Sequence, residues 1–118
     1  MRSATMMLAA LLLACTESAK VGPVVETGIA SHYADSLAGR PTASGEPYDP
    51  QKATCAHQTM DLGTTVEVYA VRTEKKARCR INDRGPFAKD RILDVSRSVA
   101  EQLEMDGIAK VELRVVEP

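Results

Sequence analysis

The sequence predicts one mainly-β domain of closed, barrel-like form. Several short stretches alternate apolar and polar residues at the two-residue period of a half-buried strand, and a single segment carries a helical period. No internal repeat, low-complexity tract or second domain is visible. With 118 residues, 44 % hydrophobic but only 3 % aromatic, the chain has material for one small core. Short strands around one small helix point to a closed β structure, so residues 27–117 should form one barrel-like unit.

The chain opens on Arg2 and a short apolar run from Met6 to Ala14 that stops at Cys15. This run is too short to span a bilayer and reads as a secretory signal peptide over residues 1–14. Leu12-Leu13-Ala14-Cys15 resembles a bacterial lipobox, in which the cysteine becomes the lipidated first residue; an ordinary cleaved signal, with Cys15 incidental, is the alternative. Residues 15–26 then form a lipidated tether, with disorder expected over Thr16–Pro23.

Strand character begins at Gly28-Ile29-Ala30-Ser31-His32-Tyr33 and gives way to Gly39–Pro50, a segment dense in turn formers and long enough to suggest function. After the turn Asp61-Leu62-Gly63, Val66, Val68 and Ala70 fall on one face and Glu67 and Tyr69 on the other. The partner strand is Lys76–Ile81, joined through Arg72–Lys75 as a hairpin, and its alternation points Cys79 inward and Arg78 and Arg80 outward. Arg91–Ser96 reads as a short apolar strand. The helix follows, with Ser98 and Glu101 at capping-box spacing, Val99 and Leu103 on one face and Gly107 as the stop; Asp94 is expected to help cap it. Val111, Leu113 and Val115 alternate with Glu112 and Arg114 in the last strand.

Charge excludes some partners. The formal net charge is −1, and losing Arg2 with the signal makes the mature chain one charge more negative, so no basic field exists for nucleic acid. If Cys15 is lipidated, two cysteines remain and only one pairing is possible, Cys55 with Cys79, in a compartment that permits disulfides. These two with His32 and His57 lack compact ligand spacing, so no metal and no other cofactor is expected. A monomer is expected.

The most informative stretch is Ile81-Asn82-Asp83-Arg84-Gly85-Pro86-Phe87. It ends a strand with an acid, a base and a forced turn, which fixes Asp83 at a definite point on the surface. Such a carboxylate suits catalysis, and it equally suits plain turn chemistry, in which it satisfies nearby backbone N–H groups.

In order along the chain, Gly28–Tyr33, Thr42-Ala43-Ser44-Gly45-Glu46, Ala56-His57-Gln58-Thr59, Leu62-Gly63-Thr64, Ile81–Phe87 and Ile92-Leu93-Asp94-Val95-Ser96 resemble the rare lipoprotein A family. The resemblance implies a six-stranded double-psi β-barrel with one short helix. It also implies a lytic transglycosylase of bacterial peptidoglycan, with glycan strands as its partner. A non-catalytic, expansin-like wall-binding or wall-loosening lipoprotein is the alternative. By the same resemblance Asp83 is the catalytic acid, and Glu46 and His57 are active-site residues. Where the family commonly has Trp before the tyrosine this chain has His32, and it contains no Trp at all. Glycan grip should therefore rest on Tyr33, Tyr48 and Phe87, with Arg84 either at the substrate or paired with Asp83 or Asp94. Thr16 after Cys15 is not the aspartate associated with inner-membrane retention, so an outer-membrane anchor facing the periplasm is expected. No glycan-binding repeat domain of the kind some relatives carry is expected after the last strand.

Overall fold

The computed structural model describes residues 20–118. The expected signal peptide, the expected lipidation at Cys15 and the start of the expected tether lie outside the described residues. Six strands, β1 (Lys20–His32), β2 (Thr54–Ala56), β3 (Thr65–Ala70), β4 (Lys75–Asp83), β5 (Arg91–Val95) and β6 (Ala109–Glu117), close into a barrel in the order β1-β5-β2-β4-β3-β6. The pairs β1/β5 and β2/β4 are parallel and the other pairings antiparallel. Closure removes every free sheet edge, so main-chain groups are satisfied around the whole ring.

The hairpin β3/β4 follows the alternation. Val66 faces Cys79 and Val68 faces Ala77 across the ladder, with Val66, Val68, Ala77 and Cys79 all buried. Leu93, Val95, Val111 and Leu113 complete the barrel interior from β5 and β6. These are small aliphatic residues, which suits a barrel too narrow for aromatic rings. On β1 a Cβ on Gly28 would meet Cγ2 of Ile92 on β5 at 2.8 Å, so any larger residue there would force the Ile92 side chain to move.

Three expectations from the pattern are corrected. β1 starts at Lys20, earlier than the tether allowed, because Lys20 and Val21 already pair with Glu117 and Val116 of β6. The helix α1 (Arg97–Gln102) is capped by Ser96, whose side chain accepts from the Val99 N–H. Ser98 lies inside the helix and donates its N–H to Pro50 O. Asp94 takes no part in the cap; its carboxylate accepts from the hydroxyl of Ser31, its register partner on β1. In β6 the alternation holds against β3, with Val111, Leu113 and Val115 opposite the buried Ala70, Val68 and Val66; Val115, near the strand's end, is half-buried and Val116 is buried.

β2 is three residues long, too short to hold its place by ladder bonds alone. It is pinned by the Cys55–Cys79 disulfide, with Cα atoms 5.8 Å apart and both cysteines buried. The residues lie 24 apart, and closing a loop of that size in the unfolded chain is worth about 3 kcal/mol. Urea unfolding with and without reductant should therefore show the reduced protein less stable by about 3 kcal/mol. An unchanged midpoint would mean that the bridge does not constrain the chain.

Candidate active site

Asp83 is the last residue of β4. Beyond it Gly85 adopts φ 117°, a left-handed backbone region that side chains rarely enter, and the Gly85–Pro86 peptide is cis. Asp83 borders a groove of about 540 Å³, whose walls include Ser31, Tyr33, Arg40, Asp83, Phe87 and Asp94.

The Asp83 carboxylate is held at both oxygens. Oδ1 accepts the main-chain N–H groups of Ala43 and Arg84, each at 2.9 Å, and Oδ2 accepts the Tyr33 phenol at 2.6 Å. The bond from Ala43, with one from Ser44 N–H to Asn82 O at 3.0 Å, draws the Gly39–Pro50 loop against the strand end. Tyr33 stacks on Tyr48 with ring centroids 4.3 Å apart and planes 20° from parallel. Burial, and then the bond to Asp83, holds the Tyr33 phenol well above its ordinary pKa, so it keeps its proton.

Tyr33, Asp83, Arg84 and Phe87 all border the groove, in differing ways. Phe87 stands at the rim, 81 % exposed. Tyr48 reaches the groove wall but is 3 % exposed, one face covered by Tyr33 and its hydroxyl accepting from the Arg97 N–H. It backs Tyr33 and does not itself offer a stacking platform, which corrects its expected role. Arg84 turns its guanidinium away from both acids and donates to the carbonyls of His57 and Met60, at 3.1 and 2.7 Å.

Glu46 and His57 stand outside the groove wall, which corrects the expectation that their side chains converge with Asp83. Both nitrogens of the buried His57 ring are occupied: Nε2 by Glu26 at 2.7 Å and Nδ1 by the N–H groups of Thr59 and Met60. Glu46 is gripped by Arg80, at 2.7 and 3.3 Å, and by Asn82 at 3.0 Å. Arg80 and then Asn82 push the Glu46 carboxyl down to about 2, so it is ionised and has no proton to give near neutrality.

Pattern reasoning missed Glu26, assigned to the tether, and Arg80, assigned to a solvated strand face. It also missed Asp94 as a groove residue. The alternation of β5 was the available signal for Asp94, since it puts that residue opposite the inward Leu93 and Val95. Among the described residues no cluster of three or more His, Cys, Asp or Glu converges as a metal site.

A closed barrel with two parallel strand pairs, and a carboxylate fixed beside a groove where β4 leaves it, defines a double-psi β-barrel domain. Residues 25–113 match the family described as "Lytic transglycolase", and the chain belongs to that family. It is 46 % identical over 97 residues to the "Probable endolytic peptidoglycan transglycosylase RlpA" of Treponema pallidum, a match covering 80 % of this chain and 30 % of that protein. To the Nostoc protein of the same name it is 44 % identical, over 75 % of this chain and 25 % of the relative. To the Campylobacter jejuni "Endolytic peptidoglycan transglycosylase RlpA" it is 38 % identical, over 75 % and 33 %. The matched region thus spans about a quarter to a third of these relatives' length. Among solved structures a Streptomyces papain inhibitor is similar, with TM-score 0.59 and 20 % identity over 81 % of this chain and 99 % of that one; the likeness concerns the fold.

Two outcomes follow from these contacts. Glu46 has its folded-state pKa lowered from 4.5 to about 2, so its contribution to stability is complete above 4.5 and fades as pH falls through about 2. Glu46→Gln should accordingly differ most from the parent above that window and converge with it below, as read by thermal melts across acid pH. Tyr33→Phe keeps the ring on Tyr48 and deletes one bond to a charged group, so groove-dependent activity should fall about tenfold or more while the fold persists. Unaltered activity would remove the phenol from the mechanism.

Proposed function

We propose that this chain is a lytic transglycosylase that cuts peptidoglycan glycan strands. The observation that carries the reading is the Asp83 carboxylate, locked at a groove with Oδ1 fully engaged and Oδ2 holding a single bond, from Tyr33. The printed names of the RlpA relatives support it.

Asp83 Oδ2 carries the proton that passes to the glycosidic oxygen as the bond to the anomeric carbon breaks. While Oδ2 is protonated the Tyr33 hydroxyl turns and accepts; when Asp83 becomes a carboxylate, Tyr33 donates again. The 6-hydroxyl of the muramoyl sugar then attacks its own anomeric carbon and gives its proton to Asp83. This forms a 1,6-anhydro ring and restores the acid. Water is not consumed, so no second carboxylate spaced to activate water is needed, unlike an inverting hydrolase. The ionised Glu46 and the enclosed His57 assist by holding the segments around Asp83. The rim aromatic Phe87 offers a stacking face, and Tyr33 shapes the floor.

The site of action is the bacterial cell envelope. Cys15 is the proposed lipid anchor, and the outer membrane, on the periplasmic side, its destination. Cys15→Ser should move the protein from the membrane to the soluble periplasmic fraction.

The decisive assay incubates the purified protein with isolated glycan strands, with and without stem peptides, and seeks 1,6-anhydro ends by mass spectrometry. Such ends are expected, and Asp83→Asn should lower their rate of formation about a hundredfold or more while leaving the thermal transition nearly unchanged. No anhydro ends on any substrate, with retained co-sedimentation on sacculi, would replace catalysis by wall binding.

A further inference from the structure

His57 is 4 % exposed, and its hydrogen bonds leave one protonation state open. Nδ1 accepts from two main-chain donors, Thr59 N–H at 3.1 Å and Met60 N–H at 3.0 Å, so it carries no proton. The ring proton is therefore on Nε2, which donates to Glu26 Oε1 at 2.7 Å. The opposite tautomer, or a doubly protonated ring, would set an Nδ1–H against both backbone donors.

Glu26 is placed for this by the strand that carries it. β1 slips register against β6 between Val24 and Glu26, and from this irregular stretch Glu26 reaches His57 while Val24 and Val25 remain exposed. The turn folded onto Nδ1 then supplies the carbonyls of His57 and Met60 that hold the Arg84 guanidinium. Arg84 in turn gives its main-chain N–H to Asp83 Oδ1, and His57 gives its own to the Asp83 carbonyl at 3.2 Å.

We infer that Glu26 is a positioning residue for Asp83. It selects the Nε2–H tautomer of His57, that tautomer folds the turn through Thr59 and Met60, and the turn fixes Arg84 and with it the direction of the Asp83 carboxylate. The inference rests on the reading of Asp83 as the acid. Its test therefore includes readouts that do not depend on activity. A carboxamide at position 26 can still accept from Nε2–H, whereas a methyl group cannot, so the two substitutions separate the hydrogen bond from mere bulk.

In the intact protein labelled with ¹⁵N in its histidines, His57 should show a protonated Nε2 and a bare Nδ1, and the Thr59 and Met60 amides should exchange slowly. Glu26→Ala should abolish the single tautomer, speed exchange at both amides and move the Asp83 carboxyl ¹³C signal. It should lower kcat on glycan strands about tenfold or more with KM little changed. Glu26→Gln should restore all four. A protonated Nδ1 in the unsubstituted protein overturns the inference without any variant, even if Glu26→Ala fails to fold. An Asp83 signal unmoved in Glu26→Ala, or a Gln variant no better than Ala, also overturns it. If the parent forms no anhydro ends, the transglycosylase reading fails alone, and the ring, amide and carboxyl signals still decide the relay.

Discussion

The geometry of the site depends on one short seam, the parallel pairing of β2 with β4. Only Thr54, Cys55 and Ala56 take part, opposite Arg80, Ile81 and Asp83. So few ladder bonds cannot hold a strand against the pull of the long loops on either side of it. Four further restraints supply the rest: the Cys55–Cys79 bridge, the antiparallel pairing of Cys55 and Ala56 with β5, the bond from His57 N–H to Asp83 O, and the Arg84 clamp on the carbonyls beyond β2. Asp83 ends one side of this seam and His57 follows the other. Any slip there would displace the carboxylate from the phenol that meets it at 2.6 Å.

Neighbours decide which acidic group can do chemistry. Glu46 and Asp83 are both carboxylates close to one loop, but Glu46 meets a guanidinium and an amide and so stays ionised. Asp83 meets a phenol kept protonated by burial, together with two main-chain donors that orient it without neutralising it. A hydroxyl can reverse its hydrogen bond as its partner gains or loses a proton, and a guanidinium cannot. Tyr33 is thus the neighbour suited to an acid that must alternate, and Arg80 the neighbour suited to a fixed charge. The Arg84 guanidinium instead engages the carbonyls of His57 and Met60.

Much of the barrel could be read along the chain. The β3/β4 hairpin, the inward Cys79 and the strand β6 follow from alternation, which reports on one buried face wherever a strand is long enough to repeat it, and β5 follows from its short apolar run. β2 escaped because three residues contain no period. The first seven residues of β1 escaped because Lys20–Glu26 holds a Gly, a Pro and adjacent valines in place of an alternating pattern, and its strand form comes from β6. The cap moved from Ser98 to Ser96 for a similar reason. Both serines have suitable chemistry, and the end of β5 decides which one lies in extended backbone.

By itself the sequence determined the strand faces, the fixed acid at the end of β4 and, with Cys15 set aside as a lipidation site, the pairing of Cys55 with Cys79. Periodicity, cysteine count and turn chemistry are properties of local segments. The tertiary structure alone decided the company of the polar groups: Glu26 with His57 across 31 residues, Arg80 with Glu46 across 34, and Tyr33 with Asp83 across 50. Those partnerships depend on strand order, on two parallel crossings and on bulges that shift register. A one-residue slip would send each side chain to the other face, so no local pattern can encode which distant partner it meets.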